Sequence, residues 1–146
     1  MLYIDTSIIV KLYFKEKFSP EASDWVKKNN EAIPLTGFHE LEITNAIHLK
    51  EFRSEITSEQ VRHVLSKFYA HQKSGVYYRP MLNWADTINF AVDIARNHTR
   101  IIGSRSLDIL HIASALAIKA DRFLTFDKRQ QALADATGLK IESCTE

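Results

Sequence analysis

Short apolar runs alternating with helical periodicity constrain this chain more than any other feature. Leu2-Tyr3-Ile4 opens it, and further runs lie at 33–36, 76–79, 122–126 and 139–142. Each is too short for a helix and long enough for a buried strand. Between them, apolar residues recur at three- and four-residue intervals, which predicts helices over 8–14, 19–29, 38–52, 58–73, 84–97, 107–119 and 127–137. Local signals mark several helix ends. Ser19-Pro20-Glu21 places a cap, a first-turn proline and a first-turn acid in order. Thr57 and Gln60 have capping-box spacing, Ser106 is expected to cap the sixth helix, and Gly138 is a stop signal. Strands that alternate with helices predict an α/β fold, a parallel sheet with helices on both faces. No repeat, low-complexity tract or linker interrupts the pattern, so residues 1–146 are expected to form a single domain.

Within that frame, acids stand at informative places. Asp5 follows the first apolar run, and Asp127 follows Phe123-Leu124-Thr125-Phe126. Ligands of open α/β sheets bind outside the carboxyl ends of the strands. If both strands are parallel and central, the two carboxylates converge. Either acid would equally serve as an N-cap for the helix behind it. On a helical wheel Phe38, Leu41, Ala46, Leu49 and Phe52 share one arc, with Glu42 near its centre and Glu40 on the far side. An acid in an apolar stripe is costly unless it is ion-paired or binds a cation. Asp108 is the acid in the most apolar helix of the chain, at the first turn, where the helix dipole also favours it. His111 lies three residues on, on the same face, and is a candidate to hold Asp108 in place by a hydrogen bond.

Gathered carboxylates repel one another, and a divalent cation relieves the repulsion. Their hard oxygens suit Mg²⁺ or Mn²⁺. Such an ion polarises a phosphodiester and lowers the pKa of bound water, with no need for a nucleophilic side chain. Arg105, Lys128 and Arg129 flank the third and fourth acids as candidate phosphate contacts or as ordinary solvated bases. Thr6, Ser7 and Thr125 are candidate hydrogen-bonding neighbours of the acids, although capping accounts for Thr6 and Ser7 as well.

Four segments resemble the PIN-domain family, and within it the VapC-type toxins of bacterial and archaeal toxin–antitoxin pairs. They are Tyr3-Ile4-Asp5-Thr6-Ser7-Ile8-Ile9-Val10-Lys11-Leu12-Tyr13, Leu41-Glu42-Ile43-Thr44-Asn45-Ala46-Ile47, Ser106-Leu107-Asp108-Ile109-Leu110-His111-Ile112-Ala113 and Ala120-Asp121-Arg122-Phe123-Leu124-Thr125-Phe126-Asp127. The likeness runs from Leu2 to about Ile141, and no acid of the family pattern is missing. It implies a three-layer α/β/α sandwich with a central, mainly parallel sheet. It also implies Mg²⁺- or Mn²⁺-dependent cleavage of RNA, with Asp5, Glu42, Asp108 and Asp127 as catalytic acids and metal ligands. A homodimer neutralised by an antitoxin protein is implied too. Some relatives process RNA without an antitoxin.

Composition excludes several other classes. A net charge of +1 rules out a chain coated in basic charge but permits a local basic groove. Cys144 is the only cysteine, so no internal disulfide forms, and it reads as an incidental thiol. The N-terminus has no signal-peptide pattern, and no apolar run approaches the ~20 residues of a membrane span. A cytoplasmic protein without membrane contact is expected. A phosphatase of the Asp-x-Asp type would need an acid where Ser7 stands, and no Gly-rich phosphate loop is present. A module that only binds a partner would have no reason to keep all four acids.

Overall fold

A computed structural model of the chain describes residues 1–143, and Cys144 lies outside the described residues. In chain order the elements are β1 (Leu2–Ile4), α1 (Thr6–Lys11), α2 (Ser19–Asn29), β2 (Ile33–Pro34), α3 (Gly37–Phe52), α4 (Ser58–Lys73), β3 (Tyr77–Tyr78), α5 (Trp84–Ile102), α6 (Ser106–Ala117), β4 (Arg122–Leu124), α7 (Lys128–Ala136) and β5 (Lys140–Glu142). The architecture is α/β, rich in helix, with a central parallel sheet. The elements divide between two compact units, Met1–Asp5 with residues 80–143, and Thr6–Arg79.

In the first unit β4 is the middle strand of β1-β4-β5, and both its pairings are parallel. Leu2 pairs with Arg122 and Ile4 with Leu124, while Arg122 pairs with Lys140. Tyr3 and Phe123 stack face to face at 5.5 Å across this register. They join a core with Ile109, Ile112 and Ala113 of α6, Leu133 of α7 and Leu139. α6 is buried on most of its surface, as its near-uniform apolarity predicts. Asp5 N–H donates to Leu124 O at 2.9 Å, which carries the ladder one residue beyond β1. Asp5 therefore leaves the carboxyl end of its strand level with the end of β4, as the sequence pattern requires.

In the second unit β2 and β3 form a parallel pair, Ile33 with Tyr77 and Pro34 with Tyr78. Alternate residues make its bonds. Ile33 N–H donates to Val76 O at 2.9 Å and Leu35 N–H to Tyr78 O at 2.8 Å, so Pro34 needs no N–H there. Phe68 of α4 meets Tyr77 and Tyr13 edge-on at 5.6 and 5.8 Å, and anchors this unit's aromatic packing.

Several element ends differ from the sequence expectation, each for a local reason. β4 stops at Leu124 rather than at 126, because Thr125 Oγ1 accepts from Asp127 N–H at 3.1 Å and turns the chain. α5 runs past 97 to Ile102, where Gly103 closes it at φ 72°. Ser106 is not the cap of α6: Arg105 holds that position with extended backbone, and no side-chain cap bond forms. Ser19 lies inside its helix, with Phe18 as the N-cap in the left-handed region. The Thr57–Gln60 capping box forms as expected. Gly138 adopts φ 87°, and Leu139 N–H donates to Ala134 O at 2.9 Å, the closing bond of a Schellman turn. Among the described residues no helix is long and apolar enough to cross a membrane.

Candidate functional site

Asp5 is 8% exposed, and its Oδ1 faces two polar side chains. Gln130 Nε2 donates to it at 3.3 Å, and His111 Nε2 stands 3.6 Å away. His111 is itself buried, with Nδ1 at 2.9 Å from the Tyr3 hydroxyl. One tautomer satisfies both neighbours. The phenol donates to Nδ1, and Nε2 carries its proton toward the carboxylate. The sequence expectation that His111 steadies Asp108 is thereby corrected in its partner. It is Asp5 on the adjoining strand end, where spacing along α6 pointed to Asp108.

Asp127 is the N-cap of α7. Its Oδ1 accepts from Arg129 N–H at 2.8 Å and from Gln130 N–H at 3.1 Å. The capping role and a role in the site are compatible, because Oδ2 points elsewhere, to Arg105 Nη2 at 3.2 Å. The same guanidinium takes both oxygens of Asp108, with Nε to Oδ2 at 2.7 Å and Nη2 to Oδ1 at 3.2 Å. These acids hold Arg105 above its ordinary pKa, Asp108 first through its hydrogen bond and charge, with smaller pulls from Asp127 and Asp5. One network therefore ties Asp5 to Asp127 through Gln130, and Asp127 to Asp108 through Arg105. The structure brings these three sequence-predicted acids together in the first unit.

Glu42 belongs to α3 of the second unit, and here the sequence reading needs correction. The arc of Phe38, Leu41, Ala46, Leu49 and Phe52 is not the buried face. Leu41 is 66% exposed and Phe52 85%, whereas Phe38, His39, Ile43 and Ile47 are buried. His39 is polar but locked inward by the Thr36–His39 capping box, which shifts the buried stripe. Glu42 and Glu40 occupy the two flanks of that stripe, and both are half-buried. Glu40 Oε2 is ion-paired with Arg79 Nη1 at 2.9 Å.

Among the other candidates, Thr125 and Thr6 are buried and Ser7 is exposed. Lys128 is exposed at the start of α7, and Arg129 Nη1 donates to Gly103 O at 3.1 Å. Two participants escaped sequence reasoning. Gln130 sits three residues after the Asp127 cap, a spacing that places its amide back over the helix start. Tyr3 had no polar signature, being one apolar-run residue among three.

The donor set is all carboxylate oxygen, which fits a hard divalent cation rather than a thiophilic one. The bridging of Asp108 and Asp127 by a guanidinium shows that these oxygens already stabilise positive charge. Among the described residues no three His, Cys, Asp or Glu side chains stand in the arrangement of a ready ion cage. Arg105 supplies the counter-charge instead.

The family model of the PIN domain matches residues 2–136, and the chain belongs to that family. PIN domains are in general nucleases, and their nucleases typically use divalent metals. No curated protein matches the chain.

Proposed function

We propose that this PIN-domain chain is an Mg²⁺- or Mn²⁺-dependent endoribonuclease and serves as the toxin of a type II toxin–antitoxin pair. The observation that carries the nuclease reading is the network of Asp5, Asp108 and Asp127. Three elements deliver three carboxylates to one edge of a parallel sheet, tied together by Gln130 and Arg105. Asp5 and Asp108 are assigned as the principal ligands of the cation. Asp127 and Glu42 complete the set, Glu42 on its sequence match alone. When bound, the cation would polarise the phosphodiester and acidify water.

The protein's own contribution is orientation. His111 and Gln130 fix Asp5, and the α7 cap fixes Asp127 so that its Oδ2 remains directed at the site. Asp127 is the more exposed of the two arginine-bound acids, which suits it to orient an attacking water by accepting its hydrogen bond. That water passes its proton to Asp127 and its oxygen forms the new bond to phosphorus, as the bond to the leaving ribose oxygen breaks and that oxygen takes a proton from solvent. Lys128 and Arg129 are assigned to the RNA backbone, where positive side chains position rather than specify. A homodimer, an antitoxin partner and a cytoplasmic site of action are part of the same proposal and rest on the toxin resemblance.

The test is cleavage of total RNA by purified protein with Mn²⁺, with chelator, and with Asp108→Asn. Cleavage that needs the cation and disappears in Asp108→Asn is expected, and equal cleavage by the variant refutes the site. The toxin role is read separately. Expression should arrest growth, and the product of a small neighbouring reading frame should relieve the arrest. Cation-dependent cleavage without arrest would move the chain to RNA processing.

A further inference from the structure

Arg105 holds more of the site's oxygens than any other side chain. Its Nε and Nη2 engage both oxygens of Asp108, and Nη2 also engages Asp127 Oδ2. The remaining oxygen of the pair, Asp127 Oδ1, accepts from the backbone of α7. All four oxygens of Asp108 and Asp127 are thus occupied by donors. A guanidinium carries a full positive charge, so a dication cannot share those oxygens with it at close range without repulsion.

The two sides of this contact differ in freedom. The Asp108 side chain is 14% exposed and that of Asp127 39%, and Asp127 is further fixed by its cap. The Arg105 side chain is 65% exposed and makes no capping bond at the start of α6. If one partner yields, it is the arginine.

We propose that Arg105 is a tethered competitor of the divalent cation: it neutralises Asp108 and Asp127 and must swing off both before they can hold a metal ion. This rests on the reading of the acids as a cation site. Once displaced, the guanidinium is left at the rim of the same site, free to meet a phosphate. Release of the latch would thereby couple cation binding to backbone contact. The device also explains how closely placed acids tolerate one another while the cation is scarce.

The latch is tested by Mn²⁺ titration calorimetry on the wild type, Arg105→Gln and Arg129→Gln. Arg129 is the control for charge, because its guanidinium lies in the same neighbourhood but bonds Gly103 O. An exposed ion pair shifts an equilibrium by a few-fold. Arg105→Gln is therefore expected to bind Mn²⁺ about five-fold more tightly, and Arg129→Gln to stay within about two-fold of wild type. A second readout uses the unmutated protein. The Arg105 Nε–H resonance, identified by its loss in Arg105→Gln, should be protected without Mg²⁺ and lose protection as Mg²⁺ is added. Equal tightening in both variants, or an Nε–H unchanged at saturating Mg²⁺, overturns the latch. No saturable binding in the wild type or in Arg105→Gln overturns the cation site itself, and the latch with it.

Discussion

Asp127 does two things with two oxygens, and one pair of substitutions can separate them. Oδ1 caps α7 by accepting from Arg129 N–H and Gln130 N–H, and Oδ2 meets Arg105. Asp127→Asn keeps an oxygen in the capping position, where asparagine is as good as aspartate. It removes the charge and presents an amide N–H to the guanidinium, so the Arg105 contact is lost. That contact is between exposed groups and is worth a few tenths of a kcal/mol. Loss of the negative charge at the helix start adds about 0.3–1 kcal/mol. Asp127→Asn should therefore cost about 1 kcal/mol or less. Asp127→Ala loses the cap as well, a further ~1 kcal/mol. In a chain of this size each kcal/mol moves Tm by about 2–4 °C. Urea and thermal melts of the three proteins, run beside Mn²⁺-dependent RNA cleavage, give the answer. The expected pattern is a near-native Asp127→Asn and a weakened Asp127→Ala, both without cleavage. Equal destabilisation of the two variants would show that the cap carries no weight. Wild-type cleavage by Asp127→Asn would remove Asp127 from the catalytic set.

Further outcomes test other parts of the structure. Tyr3→Phe removes the hydroxyl that meets His111 Nδ1, inside a fully buried environment, and should cost roughly 1–3 kcal/mol in urea melts. It should also lower cleavage by loosening Asp5, and unchanged kcat would show that the Tyr3–His111 contact does not position that carboxylate. Burial opposes ionisation of Glu16, but hydrogen bonds from Lys50 and then Lys11 outweigh it and hold the carboxyl below its ordinary value. A depressed carboxyl stabilises the fold above its unfolded pKa and stops doing so as pH falls through its folded value. The stability gap between wild type and Glu16→Gln should thus be present at pH 7 and close in acid; a gap that persists at pH 3 contradicts the assignment. Gly138→Ala meets no atom within 4 Å of the new Cβ, so its cost is backbone strain alone at φ 87°. About 1–2 kcal/mol is expected from the left-handed conformation, and a neutral variant in the same melts would refute it.

What the sequence discloses about the site follows from which interactions are local. Asp5 and Asp127 were legible because an apolar run ending in an acid before a helix is a contiguous pattern, and parallel pairing of β1 with β4 then aligns the two strand ends. Asp108 was legible from its isolation in an apolar helix. The links between the acids were not legible. Gln130 reaches Asp5 and Arg105 reaches Asp127 only after the strands have paired. Arg105 shows the difficulty most clearly. From the sequence it was one of three bases near the acids and a candidate for phosphate. In the fold it is bound to the acids themselves, while Arg129 bonds a backbone carbonyl. Proximity in sequence identifies a charge but not its partner.

The same limit governs the choice between Glu40 and Glu42. The helical wheel rewarded Leu41, Leu49 and Phe52 for being apolar and ignored His39 for being polar. A capped, buried histidine reversed that weighting and moved the inward face by about a quarter turn. Glu42 stays the candidate on its match to the family's glutamate segment. Glu40 is committed to Arg79, and an acid already neutralised by a neighbouring arginine is a poor recruit for a metal. Yet Asp108 and Asp127 are also held by an arginine. The distinction must then lie in how firmly each arginine is held. Arg79 is held at its far side too, since its Nη2 donates to Gln72 Oε1 at 3.0 Å, whereas among the described residues Arg105 is bonded to the two acids alone. An arginine with a second anchor is a structural partner. One whose contacts are all on candidate metal ligands can be exchanged for the metal.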